Sequence, residues 1–111
     1  MYKRQLLNRV SANKIPGKDG GMRLVHMLTS LGGIECEMTI TRLGEDRYYL
    51  NSAIMGTTHD EDWLNHHIEP GEDVTVTDVT DANAILAVTG PRARDVLQGL
   101  TDADLLSLIH I

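Results

Sequence analysis

The stretch Gly32 to Arg42, GGIECEMTITR, sets two carboxylates, Glu35 and Glu37, into one β-strand pattern. Strand side chains alternate between faces. Ile34, Cys36, Met38 and Ile40 are therefore expected on an apolar face, and Glu35, Glu37, Thr39 and Thr41 on a polar one. Two carboxylates so spaced lie roughly 6.5–7 Å apart. At an effective dielectric of about 20, unit charges at that distance repel by roughly 2 kcal/mol, which open water reduces to a few tenths. The pattern has two readings: a strand face wetted by solvent, or a carboxylate lining a pocket.

Other reactive side chains give weaker signals. The run HDEDWLNHH, His59 to His67, collects histidines and acids, and Asp62 and His66 stand at a spacing that can present two ligands to one ion on a helix. It lacks the HExxH arrangement, and no cysteine pair supports a structural site, so a solvated helix face and no metal centre are expected. His26, among the apolar neighbours of RLVHML, reads as a core or strand-edge histidine bonded to backbone. Cys36 cannot form an internal disulfide, being the one cysteine, and reads as a small core residue in a reducing compartment. Neither GxGxxG nor GxxxxGK[ST] occurs, so the segment builds no dinucleotide or nucleotide-phosphate cradle of its own. Chain order alone assembles no Ser–His–Asp set.

The elements that must position these residues follow from periodicity and turn signals. Leu6, Leu7, Val10 and Ile15 fall near helical spacing, with a stop expected before Pro16. Strands are expected over Met22–Thr29, over the stretch after Gly33, and over Tyr48–Ala53, joined by SLGG and LGEDR as an antiparallel meander. HDEDWLNHHI predicts a short helix from Thr58, with Trp63, Leu64, His67 and Ile68 on one side. PGED turns the chain, VTVTDV and AILAVTG read as two further strands, and PRARDVLQGL closes as a helix with Val96, Leu97 and Leu100 in a stripe. The order α-βββ-α-ββ-α reads as an α+β fold, an antiparallel meander with flanking helices.

Length and charge narrow the function classes. A chain of 111 residues, 41% hydrophobic and 23% charged, has the composition of one ordinary globular domain at most. A net charge of -6 argues against gripping nucleic acid or an anionic membrane, since both need a clustered positive field. No apolar run reaches the length of a spanning helix, and the start lacks an apolar signal region, so a cytoplasmic location is expected.

The two ends read as foreign. Residues 106–111, LSLIHI, resemble the translation of a transposon-end adapter used in sequencing-library preparation. The reverse complement, read from a GTG start, resembles residues 1–5, MYKRQ. Residues 6–105 are then the informative segment, part of a larger domain.

The combination LLNRVSANKIP, RLVHMLTSLGGIECEMTITRL, EDRYYL, HDEDWL and AILAVTGPRARDVL resembles the folate-binding aminomethyltransferase-like (glycine-cleavage T-protein-like) domain. More narrowly, it is similar to the branch fused behind flavin-dependent dimethylglycine and sarcosine dehydrogenases. The resemblance implies tetrahydrofolate as cofactor, a methylated glycine as the parent's substrate, and FAD in an upstream domain outside this segment. It implies that Glu37 is the catalytic carboxylate and that Glu35 stands at the pocket rim. The glycine-cleavage aminomethyltransferases carry aspartate at the place of Glu37. Asn51, in YYLNSA, matches an asparagine near the folate, and Tyr49 and Met27 are assigned to the pocket walls. The function implied is transfer of a released one-carbon unit to tetrahydrofolate, the isolated segment being inactive. The alternatives are a glycine-cleavage-type aminomethyltransferase and a non-catalytic folate-binding or interaction module.

Overall fold

The computed structural model describes residues 2–105; Met1 and the run 106–111, within the ends read as foreign, lie outside the described residues. Helix α1 spans Tyr2–Val10, buries Leu6 and Leu7, and carries Arg9 in its last turn, where a cation meets the negative end of the helix dipole. Three strands follow, β1 (Met22–Leu28), β2 (Ile34–Gly44) and β3 (Arg47–Ser52), forming one antiparallel sheet in the order β1-β2-β3. A short 3-10 turn at Ile54–Gly56 leads into α2 (Thr57–His66). The architecture is α+β, as the pattern predicts.

The core lies on one face of this sheet. Val25, Met27, Cys36, Met38 and Ile40 project there with Leu7, Ile15 and Leu64, while Tyr48, Leu50, Trp63 and Val76 pack around them. β2 is central, so its inward residues are covered from both neighbouring strands: Met38 lies between Val25 and Ser52, and Ile40 between Arg23 and Leu50.

Two departures from regular pairing shape the sheet. Met27 pairs with Cys36, but Leu28 pairs with Ile34, so Glu35 is an extra residue in β2 with no partner on β1. This β-bulge shifts the alternation by one residue. Ile34, expected on the apolar face with Cys36, is instead turned to the opposite side with Leu28 and is 66% exposed. Leu43 is a second extra residue, between the pairs Arg42–Tyr48 and Gly44–Arg47.

The outer edge of β1 is covered by the chain leaving α1. Ser11 bridges Met27, the Ala12 amide donates to the His26 carbonyl at 2.8 Å, and Asn13 Nδ2 donates to the Leu24 carbonyl at 3.1 Å. Ile15 is therefore buried, but from this covering loop and not from a continued helix: α1 ends at Val10. Arg42 fastens the return of the loop, donating to the Gly17 carbonyl at 2.7 Å and pairing with Asp19 at 2.8 Å. Arg9 grips Glu72 with a two-pronged guanidinium–carboxylate pair at 3.0 and 2.8 Å, and also donates to the His67 carbonyl at 2.9 Å. That one side chain joins the end of α1 to the chain beyond α2.

The chain divides into two units after Asp78. Neither strand expected in residues 74–90 forms. Val74 and Val76 keep the alternating burial of VTVTDV, but no strand among the described residues pairs with them, and an extended segment becomes sheet only through a ladder partner. In the second unit a 3-10 turn at Thr80–Ala82 precedes AILAVTG, which runs irregularly with Leu86 84% exposed. Helix α3 is confined to Ala93–Gln98, with Pro91 in the turn before it, and its stripe of Val96, Leu97 and Leu100 is exposed. Gln98 holds the following turn by donating to the Thr101 and Ala103 carbonyls.

Met27 is fully buried, and truncating it leaves a void in a closed core: Met27→Ala is expected to cost about 2–5 kcal/mol in urea denaturation. The Arg9 hydrogen bonds hold the Glu72 carboxyl below its ordinary value of 4.5. A carboxylate depressed by folding stabilises the fold above its ordinary value, and that contribution disappears as pH falls through the depressed one. Glu72→Gln is therefore expected to lower the urea midpoint at pH 7. The gap from the parent should close progressively in acid below about pH 4.5.

Candidate functional site

The face of the sheet away from the core carries the first group of polar side chains. Glu37 pairs with His26 across β1 and β2, Thr39 stands opposite Asn51, and Thr41 opposite Tyr49. Alternation therefore places Glu37, His26, Asn51 and Tyr49 on one side of the sheet. His26 Nε2 lies 2.6 Å from Glu37 Oε2, the shortest of the charged contacts described. This corrects the reading of His26 as a histidine bonded to backbone: its ring is committed to the carboxylate. The Glu37 side chain remains 59% exposed. Asn51 and Tyr49 are half-buried, and exposed Met22, Leu24 and Leu28 extend the same side with apolar surface.

Met27, expected beside them, is not. It lies on the opposite face with the core, because it neighbours His26 in the strand and so points the other way. Glu35 is also separated from Glu37. The bulge that leaves it unpaired turns it toward α2, where its Oε1 accepts from His59 Nε2 at 2.8 Å.

A second group forms around that contact. His59 Nδ1 lies 3.2 Å from Asp60 Oδ1 and 3.9 Å from Cys36 Sγ. Ligand atoms of Cys36, His59 and Asp60 all fall within 4.8 Å of one another. The Asp60 carboxylate has room because Gly56 lies beneath it: a Cβ on that glycine would stand 3.3 Å from Asp60 Oδ2. Burial works against the Asp60 charge, but hydrogen bonds from Ser52, His59 and Cys36 hold its pKa below the ordinary 3.8. The His59 pKa is raised by its hydrogen bonds to Asp60 and Glu35. Burial, reinforced by the hydrogen bond to Asp60, pushes the Cys36 thiol up to about 12.

The helical pair noted in the sequence takes no part in this group. Asp62 and His66 are both exposed, and it is the adjacent pair His59 and Asp60 that faces Cys36. Sequence reading missed the convergence because it depends on the bulge at Glu35 and on the seating of α2 against β2. The visible signal was the position of Cys36 on the apolar face; nothing in the spacing joined it to residues more than twenty positions away.

Residues 3–108 match the GCVT N-terminal domain. The chain belongs to the GCVT N-terminal domain family. It is 36% identical over 102 residues to the mitochondrial dimethylglycine dehydrogenase of Homo sapiens, covering 91% of this chain and 12% of that protein. It is 34% identical over 100 residues to sarcosine oxidase subunit alpha of Corynebacterium sp. (strain P-1), covering 86% of this chain and 10% of that protein. The aminomethyltransferase of Geobacillus kaustophilus (strain HTA426) is 42% identical over 77 residues, covering 69% of this chain and 21% of that protein. The chain thus spans about an eighth of the dehydrogenase it matches and about a fifth of the aminomethyltransferase. Among the described residues no helix is long and apolar enough to cross a membrane.

A thiol held near 12 is almost wholly protonated at neutral pH. Cys36 is expected to react with iodoacetamide at pH 7.5 at least about a hundredfold more slowly than a free cysteine, with full reactivity restored in denaturant. Mass spectrometry over time measures both.

Proposed function

We propose that this segment is part of the folate-binding region of a flavin-dependent dimethylglycine or sarcosine dehydrogenase, and that it serves transfer of a one-carbon unit to tetrahydrofolate. The observation that carries the reading is the exposed sheet face on which His26 and Glu37 pair beside Asn51 and Tyr49. Membership of the GCVT N-terminal domain family and identity to a dimethylglycine dehydrogenase along most of the chain support the same reading.

The residues suit such a ligand. A flat heterocycle with several ring nitrogens needs apolar surface and a few oriented polar groups. Met22, Leu24 and Leu28 offer the first; Glu37, Asn51 and Tyr49 offer the second. When bound, tetrahydrofolate supplies the amine nitrogens that accept the carbon. Glu37 takes the proton released as the new carbon–nitrogen bond forms, and its negative charge stabilises positive charge developing nearby. His26 acts on Glu37, not on the ligand. Its Nε2–H donates to Oε2 and orients the carboxylate, while Oε1 has no hydrogen-bond partner among the described residues. Asn51 orients the ligand through its amide. FAD and selection of the methylated amine belong to an upstream domain, so the 111-residue chain alone is read as inactive.

An aminomethyltransferase without a flavin domain is the second reading, favoured by the match to the Geobacillus kaustophilus protein. Cloning of the intact gene separates the two: an upstream dinucleotide-binding fingerprint supports the dehydrogenase, and a reading frame without one rejects it. In the parent enzyme, Glu37→Gln is expected to lower the rate of one-carbon transfer to tetrahydrofolate by about a hundredfold or more. Amine oxidation, measured by flavin reduction, should be unchanged. An unaltered yield of folate product would leave Glu37 without this role and favour a non-catalytic binding module.

A further inference from the structure

The group at the junction of β2 and α2 is on the side of the sheet away from the Glu37 pair, and the proposed folate chemistry makes no use of it. Three side chains of different ligand type meet there: a thiol from β2, and an imidazole and a carboxylate from the first turn of α2. We propose that Cys36 Sγ, His59 Nδ1 and an Asp60 carboxylate oxygen form a binding site for one zinc-type divalent cation, which clamps α2 onto β2.

The spacing already approximates that of a coordinated ion. Zinc bond lengths of about 2.3 Å to sulfur and about 2.0 Å to nitrogen or oxygen, at tetrahedral angles, put sulfur about 3.5 Å from nitrogen and nitrogen about 3.3 Å from oxygen. The corresponding separations are 3.9 Å for Cys36 Sγ to His59 Nδ1 and 3.2 Å for His59 Nδ1 to Asp60 Oδ1. Small side-chain rotations close the difference.

The surroundings are also those of a ligand set. Glu35 accepts from His59 Nε2, so a ring that coordinates through Nδ1 keeps its other nitrogen protonated and held in place. A carboxylate behind a histidine ring is the usual means of fixing the tautomer that binds a metal. Without an ion the Nδ1 proton of His59 lies between the ring and the Asp60 oxygen, and coordination takes its place, releasing that proton to solvent. Sulfur, nitrogen and oxygen donors together suit a borderline-soft ion such as zinc, whereas magnesium or calcium would require oxygen ligands throughout. Cys36 surrenders its thiol proton to solvent on coordination, and no electron transfer is involved. Three protein ligands leave a fourth position for water on the side where His59 is exposed.

Cobalt(II) and zinc(II) titrations of the 111-residue chain test the site directly. Cobalt is expected to bind one to one, with the near-ultraviolet band of thiolate-to-metal charge transfer and the intense visible bands of a tetrahedral ion. Zinc should displace it and raise the thermal midpoint of the chain. His59→Gln, which alters an exposed side chain and keeps the fold, should weaken binding at least tenfold, and Glu35→Gln should weaken it by about 10–100-fold. His66→Gln should change neither. Cys36→Ser should abolish the charge-transfer band, with circular dichroism reporting whether that variant is folded. Cobalt binding without the charge-transfer band, equal loss in His59→Gln and His66→Gln, or no saturable binding by the parent chain would each overturn the proposal.

Discussion

The chemistry of this chain depends on one extra residue in a strand. Without the bulge at Glu35, β2 would alternate without interruption from Ile34 to Thr41. Both carboxylates would then share the open face of the sheet, repelling one another beside His26. With the bulge, Glu37 keeps that face and a single histidine partner, while Glu35 is turned toward α2 and takes a different histidine. Two like charges two positions apart in sequence thus acquire separate counter-groups. The same shift moves Ile34 out of the core and leaves Cys36 at the end of the apolar row, where α2 can reach it.

That arrangement needs a sheet whose edges do not slip, since a one-residue change of register would exchange the two faces. β1 is restrained on its outer side by Ser11, Ala12 and Asn13, and by the hairpin on its inner side. Arg42 pins the loop that returns into β1, and Arg9 ties α1 to Glu72 and to the carbonyl of His67. Both arginines act across long sequence separations with short charge-assisted contacts, and a few such bonds are enough to fix a small three-stranded unit whose core is one layer of apolar side chains. A two-stranded hairpin alone is marginal in water, and the third strand with its packed apolar face is what makes such a unit stable.

Much of this was legible in the sequence, and the failures have physical causes. The three strands and α2 were readable because period-two and helical patterns there agree with the turn residues around them. Ile15 falls at helical spacing with Leu6, Leu7 and Val10 but lies beyond the end of α1, because spacing alone does not tell a helix face from a loop laid along a strand edge. The bulge was invisible because the alternation of GGIECEMTI is unbroken in residue type; only the partner strand reveals that one position is skipped. VTVTDV and AILAVTG have strand-like composition, yet strand formation is a property of pairs, and no partner is present among the described residues. Of the site residues, Glu37, Asn51 and Tyr49 share a face, whereas Met27 follows the opposite parity into the core.

Burial then divides the labour between the faces. A carboxylate that must exchange a proton with a ligand has to be reachable, and Glu37 is held by one hydrogen bond on an open surface flanked by exposed Leu24 and Leu28. A thiol is soft, weakly hydrated and tolerant of burial, and Cys36 sits within the apolar layer where a hydrophobic neighbour would also fit. What distinguishes it from such a neighbour is the set of polar atoms gathered on it from α2, together with Ser52 on β3. A packing role accounts for the burial of Cys36; the imidazole and the two carboxylates beside it are joined to one another through His59. His59, hydrogen-bonded to both carboxylates, offsets their repulsion in the free chain, and a bound cation would take over that part at its Nδ1 side.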